Sequence, residues 1–126
     1  MYIKGDRRAL GLEGERVASE FLKKQGYKIL QRNYRPGANE IDIIGYDRGT
    51  IAFLEVKTGL SRRYGPPEVR ITETKKRRIY KAAQKYIKER RLSGQQFRFD
   101  VVSVLFDPRK DAPEVKLIKG AFSLKG

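Results

Sequence analysis

The sequence contains neither cysteine nor histidine, and these two absences exclude several kinds of active site. Without a thiol the chain can form no disulfide and offers no cysteine nucleophile. Without either residue there can be no Cys/His zinc site and no Ser-His or Cys-His catalytic pair. Any catalysis must therefore rely on carboxylates, lysines, hydroxyls, backbone groups and a hard metal ion. Mg²⁺ and Mn²⁺ are such ions, and they prefer the oxygen ligands that this chain can supply.

Long apolar runs are also missing from the sequence. No stretch approaches the roughly 20 apolar residues that a membrane-spanning helix needs, and residues 1–8 lack the apolar region of a signal peptide. These features favour a soluble, cytoplasmic protein that has no membrane partner. The 126 residues predict a single domain, 1–126, that can bury a core without a disulfide or a structural metal.

Acidic residues are scarce compared with basic ones. The chain has 15 Asp and Glu against 29 Lys and Arg, which gives a net charge of +14. Such an excess indicates a polyanionic partner. Nucleic acid is favoured over a basic surface that serves solubility and over an anionic membrane surface, because the positive charge is clustered.

Most of the clustering falls in a helix predicted at 73–91. It carries nine basic residues and two acidic ones, a net charge of +7 and half the charge of the chain. A solvated helix usually interleaves both signs, so this surface is interpreted as a contact for the nucleic-acid backbone. The segment 59–71 before it is basic, contains Gly and Pro, and is predicted to be a long, mobile loop. The candidate nucleic-acid contacts are Arg62, Arg63, Lys75, Lys76, Arg78 and Lys81.

Two largely apolar strands are predicted at 40–46 and 50–58. Apart from Glu40 at the start of the first, they contain three charged residues: Asp42, Glu55 and Lys57. Charged side chains rarely occupy such strands unless a partner compensates them. The Asp-Arg-Gly sequence at 47–49 predicts a tight turn that joins the two strands into a hairpin.

The register of this hairpin decides where the charges meet. If Arg48 and Gly49 are the central residues of the turn, Asp42 lies directly opposite Glu55, with their Cβ atoms about 5 Å apart. Lys57 then lies on the same face as Glu55. A three-residue turn would make the acidic pair diagonal instead. Opposed like charges destabilise a hairpin unless a cation lies between them, so the pattern predicts a metal site.

These groups suit phosphodiester hydrolysis, which needs a cation to neutralise phosphoryl charge and a positioned water. Asp42, Glu55 and the carbonyl of Val56 are predicted to bind one or two Mg²⁺ ions. Lys57 would orient or deprotonate the attacking water, or stabilise the developing charge. Glu15, near the start of a helix predicted at 6–25, is a candidate outer ligand. The alternative interpretation is a metal-free ion cluster of Lys57 with the two acids.

The other acids near these strands have simpler interpretations. Glu40 falls on the same face as Asp42 by strand alternation and could assist or replace it. Asp47 is assigned to the turn. Asp100, inside a strand predicted at 97–106, could pair with an arginine such as Arg98 or support the site indirectly, and a structural role is favoured. Further strands are predicted at 27–34 and 114–119.

Several short motifs follow one another from about residue 8 to Phe122. They are Gly14-Glu15-x2-Ala18-x2-Phe21-Leu22-x3-Gly26-Tyr27, Asn33-Tyr34-Arg35, Glu40-Ile41-Asp42-Ile43-Ile44, Phe53-Leu54-Glu55-Val56-Lys57 and Arg98-Phe99-Asp100-Val101-Val102. In this order they resemble the small bacterial YraN-like family of uncharacterised proteins.

That family is similar to the archaeal Holliday junction resolvases and to the wider restriction-endonuclease-like superfamily with the PD-(D/E)xK site. The resemblance implies an α/β fold with a mixed central β-sheet flanked by helices. It also implies that Asp42, Glu55 and Lys57 form the active-site triad and that Glu15 is the helix-borne acid. The chain departs from the pattern at Asn39, where the family usually has Gly, and in lacking Pro next to Asp42.

The sequence thus predicts a Mg²⁺- or Mn²⁺-dependent endonuclease that acts on DNA, including branched structures. A second hypothesis is a non-catalytic nucleic-acid-binding module that retains the nuclease fold, which explains the charge but not the opposed carboxylates. Nothing in the sequence distinguishes DNA from RNA by its sugar. Because resolvases cut two strands symmetrically, resolvase-like action would need a homodimer.

Overall fold

The computed structural model describes residues 7–60 and 71–123. The elements in these ranges are α1 (Arg7–Lys24), β1 (Lys28–Tyr34), β2 (Ile41–Asp47), β3 (Thr50–Gly59), α2 (Glu73–Glu89), β4 (Gln96–Leu105) and β5 (Glu114–Phe122). The strands form a sheet in the order β1-β2-β3-β4-β5, with β3 and β4 parallel and the other neighbours antiparallel. The predicted α/β fold with a mixed sheet flanked by helices is confirmed, and it is consistent with a restriction-endonuclease-like fold.

Helix α1 covers one face of the sheet. Its buried residues Gly14, Ala18, Ser19 and Leu22 recur at helical spacing and form the stripe that meets the sheet. The core on this side includes Ala18, Leu22, Tyr27, Ile43, Ala52, Leu54, Val102 and Val104. The helix ends as predicted at Gly26, whose φ of 97° is left-handed.

Helix α2 covers the other face and connects the parallel strands β3 and β4, which no short turn could join. It begins after Thr72, whose hydroxyl accepts a hydrogen bond from the Lys75 N–H at 3.1 Å. Its predicted apolar face is confirmed, because Ile79, Ala82, Ala83 and Tyr86 are buried. They pack against Tyr34, Ile41, Ile44, Ile51 and Phe53.

The hairpin of β2 and β3 has the predicted register. Arg48 and Gly49 form its turn with φ values of 47° and 92°, the left-handed pair that a two-residue hairpin turn requires. The paired residues are Asp47–Thr50, Tyr46–Ile51, Gly45–Ala52, Ile44–Phe53 and Ile43–Leu54. Asp42 and Glu55 are the next residues on each strand, so the hairpin brings them to the same end of the ladder.

Neither described helix combines the length and the apolar character that a membrane span requires. The predicted basic loop falls mainly on residues 61–70, which lie outside the described residues. The same is true of Arg62 and Arg63, two of the candidate nucleic-acid contacts.

Candidate metal and nucleic-acid site

Asp42 and Glu55 form a buried pair of carboxyl groups, with 8% and 4% of their surfaces exposed. The Val56 N–H donates a hydrogen bond to Asp42 Oδ2 at 2.8 Å, which fixes this side chain against β3. Glu55 is close enough to donate a hydrogen bond to Asp42 when it is protonated. The two acids that the sequence predicted to meet therefore do meet.

Their environment disfavours the charged form of both carboxyl groups. Burial raises the pKa of Glu55 to about 8, and the charge of Asp42 adds to the effect. Burial also raises the pKa of Asp42, although the hydrogen bond from Val56 works against it. Two buried like charges cannot both ionise without compensation. A divalent cation would supply that compensation in place of the proton.

The donor set fits a hard metal ion. Glu55 Oε1 is buried and has no hydrogen-bond partner among the described residues. A buried oxygen of this kind has the capacity to accept a ligand such as a metal ion. The N–H and C=O of one strand residue point to the same side, so the Val56 carbonyl faces the Asp42 side of β3 along with the Val56 N–H.

Two lysines flank Glu55. Lys57 Nζ lies 3.7 Å from Glu55 Oε2, and Lys75 Nζ lies 3.8 Å from Glu55 Oε1. Lys57 is in the predicted place. Lys75, interpreted from the sequence only as a nucleic-acid contact, also reaches the carboxylates. Sequence reasoning missed this contact, because it depends on how α2 lies across the sheet.

Glu15 lies beside the pair. Its carboxylate is 17% exposed and 4.0 Å from Arg32. Burial and the charge of Asp42 raise its pKa, while a hydrogen bond from Asn33 lowers it. Within residues 7–60 and 71–123, no three acidic side chains come close enough to hold one metal ion together. The outer-ligand role of Glu15 stays a prediction.

Glu40 makes a different contact from the one considered for it. Arg35 Nε lies 2.6 Å from Glu40 Oε2, in an ion pair at the surface. Its charge still helps to raise the pKa of Asp42, so it is near the site. Glu40 is held by Arg35, whereas Asp42 is fixed against β3 beside Glu55, so Asp42 remains the better candidate.

Asp47 lies directly before the turn, as predicted, but its side chain has a further structural role. Its side chain is buried, and Asp47 Oδ2 accepts hydrogen bonds from Arg98 and Lys119, both at 2.8 Å. The predicted pairing of Arg98 with Asp100 is confirmed at 2.7 Å. Asp100 also accepts hydrogen bonds from the Tyr27 hydroxyl at 2.8 Å and from a backbone N–H of β5. Sequence reasoning missed this network because its members are far apart along the chain.

The predicted basic surface on α2 is present. Arg78 and Lys81 are exposed. Lys76 is half-buried, lies 3.0 Å from Glu73 and stands over the ring of Phe122 at 5.6 Å. This surface begins one residue after Lys75, so it continues directly from the carboxylate pair.

Residues 14–104 match the family described as uncharacterised protein family UPF0102. The chain belongs to this family. The resemblance to the YraN-like family, which is the same family, is thereby confirmed. The matched residues include Glu15, the carboxylate pair and the whole of α2.

Similar proteins from several bacteria cover most of the chain. A UPF0102 protein of Caldicellulosiruptor saccharolyticus is 42% identical over 117 residues, 93% of this chain and 99% of the relative. One from Desulfosudis oleivorans is 46% identical over 116 residues, 92% of this chain and 91% of the relative. One from Chloroherpeton thalassium is 47% identical over 102 residues, 81% of this chain and 79% of the relative. The similarity therefore extends over the fold and is not confined to a short motif.

Proposed function

We propose that this protein is a Mg²⁺-dependent endonuclease that hydrolyses DNA phosphodiester bonds, with branched DNA as its substrate class. The observation that carries the proposal is the buried Asp42–Glu55 pair with Lys57 beside it. Two buried carboxylates that are both ionised repel each other and destabilise a fold, and strongly perturbed acids of this kind cluster at functional sites. The resemblance to Holliday junction resolvases and the observed mixed sheet support the same reaction class.

The metal ligands in this proposal are Asp42, Glu55 and the Val56 carbonyl, with Mg²⁺ or Mn²⁺ as the ion. The bound ion would neutralise charge on the phosphate and lower the pKa of a water molecule. Glu15, on α1, would serve as the helix-borne acid beside this set.

The side chains of the protein supply the remaining requirements. The hydrogen bond from Val56 to Asp42 holds that carboxylate in one orientation, which reduces the ordering that substrate binding must provide. Lys57 Nζ, 3.7 Å from Glu55 Oε2, is positioned to orient a water or to stabilise charge on the phosphate. The basic face of α2 would hold the DNA backbone next to these groups.

A second candidate function is binding of nucleic acid without cleavage. The observation that favours it is that Glu15 does not join Asp42 and Glu55 in a three-acid cluster within the described residues. This alternative predicts salt-sensitive binding with no dependence on a divalent metal. It does not explain why the fold buries two neighbouring carboxyl groups whose pKa values are raised.

Cleavage assays separate the two functions. Linear, flapped and four-way DNAs, with matched RNAs, would be incubated with the wild-type protein and with Asp42→Ala and Glu55→Ala in Mg²⁺. The proposal expects cutting of branched DNA that is lost in both variants while binding is retained. Equal cutting by wild type and variants would place the activity elsewhere. Binding without cutting under all metal conditions would favour the second function.

Cutting of both strands at a junction would also need two active sites, and hence a homodimer on the DNA. Sedimentation at micromolar concentration with four-way DNA checks this. A strict monomer on the junction would contradict coordinated cleavage without affecting the proposed chemistry.

A further inference from the structure

The two lysines next to Glu55 differ in how they are held. Lys57 lies on β3, two residues from Glu55, so the strand backbone fixes the position of its Cα atom relative to Glu55. Lys75 reaches the same carboxylate from α2, with a side chain that is 31% exposed. Neither ammonium group is within the hydrogen-bond distance of about 3.2 Å, because the separations are 3.7 and 3.8 Å.

Lys75 also acts on both acids of the pair. Its positive charge opposes the rise in the pKa of Glu55 and that of Asp42 alike. The oxygen that it approaches, Glu55 Oε1, is the one without a hydrogen-bond partner among the described residues. Lys75 therefore lies in the electrostatic field of the two carboxylates without a hydrogen bond to either of them.

We propose that Lys75 is an exchangeable cation for this carboxylate pair, which a divalent metal ion displaces toward the phosphate backbone of bound DNA. The proposal rests on the proposed function, because it assumes the same metal site. It adds that binding of metal and binding of DNA reinforce each other through one side chain. Lys75 suits this role because its flexible four-carbon stem starts next to the basic face of α2.

Electrostatics gives the direction of the effect. Removing one positive charge near the pair makes the potential there more negative. A divalent ion gains twice as much from this change as the proton with which it competes. Loss of the Lys75 charge should therefore tighten metal binding, even though Glu55 also holds its proton more strongly.

The test is calorimetric titration of Mn²⁺ alone into the wild-type protein, Lys75→Gln and Lys76→Gln at low salt. Lys76 is the matched control, because it is the next residue and pairs with Glu73 instead of Glu55. We expect Lys75→Gln to bind Mn²⁺ about tenfold more tightly than wild type. Lys76→Gln should stay within about twofold of wild type. A third variant, Lys75→Arg, keeps the charge and should return the affinity to near the wild-type value.

A second readout follows the DNA. Affinity for a four-way DNA would be measured with and without Ca²⁺, a non-cleaving ion chosen for this comparison. The gain in DNA affinity on adding Ca²⁺ should be smaller in Lys75→Gln than in wild type. In Lys76→Gln the gain should be unchanged, with a weaker affinity under both conditions.

The outcomes separate this inference from the proposed function. If wild type binds Mn²⁺ and Lys75→Gln binds it equally or more weakly, the inference is wrong and the metal site stands. If neither protein binds Mn²⁺, the proposed function fails and the inference fails with it. Binding seen only in Lys75→Gln would support the inference directly.

Discussion

At the residue scale, the pKa values of the buried acids Asp47 and Glu55 shift in opposite directions. Asp47 and Asp100 lie in a network with Arg98, and hydrogen bonds from Lys119 and then Arg98 outweigh burial and lower the pKa of Asp47. Asp42 and Glu55 are also buried, yet their pKa values are raised. A buried acid that accepts hydrogen bonds from lysine and arginine keeps its charge in the folded protein, whereas a buried pair whose pKa values are raised is typical of a functional site.

This contrast predicts an unusual pH dependence for the metal-free protein. Glu55 ionises near 4.5 in the unfolded chain and near 8 in the folded protein. Between these values the folded state binds more protons, so its free energy of unfolding falls as the pH rises. Residue 55 cannot titrate in Glu55→Gln. The free energy of unfolding of this variant should therefore rise by roughly 3 kcal/mol relative to that of wild type as the pH increases from 5 to 8.

Urea unfolding with a chelator present would measure this difference. The control is Glu73→Gln, because Glu73 lies on the exposed side of α2. Its stability curve should run parallel to that of wild type. If the Glu55→Gln curve were also parallel, Glu55 would be an ordinary surface-like acid and the raised pKa would be contradicted.

The network around Arg98 should behave as a structural unit. Arg98→Ala would leave Asp47 with one cation fewer and Asp100, which is 0% exposed, without its charged partner. Loss of one member of a buried ion pair typically costs about 3–5 kcal/mol. Thermal unfolding should show a fall of about this size. Arg109→Ala, which removes an exposed arginine that pairs with Asp107, should leave the stability unchanged.

At the element scale, the position of α1 depends on one glycine. A Cβ atom at Gly14 would overlap with the Thr58 hydroxyl of β3. Close packing at this point sets how near α1, and with it Glu15, approaches the sheet. The same helix offers a comparison, because a Cβ at Gly11 would meet nothing within 4 Å.

Gly14→Ala should therefore destabilise the protein by about 1–3 kcal/mol through overpacking. Gly11→Ala should be neutral or stabilising by about 0.5–1 kcal/mol, because alanine is the better helix former. Denaturant unfolding of the two variants checks the prediction. Equal effects would mean that α1 can shift away from Thr58 without loss.

The elements themselves were largely predictable from the sequence, because their signals are local. The Arg48–Gly49 turn fixed the hairpin register, and strand alternation then placed Asp42, Glu55 and Lys57 correctly. Contacts between distant elements left no such signal. The reach of Lys75 to Glu55 depends on how α2 lies across the sheet, and the partners of Asp47 come from β4 and β5. Periodicity along one segment cannot show either contact.

At the scale of the whole molecule, the effect of the net charge of +14 on DNA binding depends on where the basic residues lie. Charge on α2 is expected to contact DNA phosphates, whereas the turn between β4 and β5 holds basic residues that already have acidic partners. Arg109 pairs with Asp107, and Lys110 pairs with Glu114.

Arg78→Gln/Lys81→Gln and Arg109→Gln/Lys110→Gln remove the same charge from these two places. If α2 contacts two phosphates through Arg78 and Lys81, the first variant should reduce the slope of log K against log salt by about 1.8. The second should leave the slope unchanged. Binding of duplex DNA across a range of salt concentrations measures both, and equal slopes would show that α2 is not the contact surface.

The central claim is that Asp42 and Glu55 hold a divalent metal ion. The most direct measurement is titration of Mg²⁺ and Mn²⁺ into wild type and Glu55→Gln by calorimetry, with and without four-way DNA. Our account predicts saturable binding to wild type that weakens at least tenfold in Glu55→Gln. No binding to wild type even with DNA present, or equal binding to both proteins, would contradict it and leave a metal-free ion cluster.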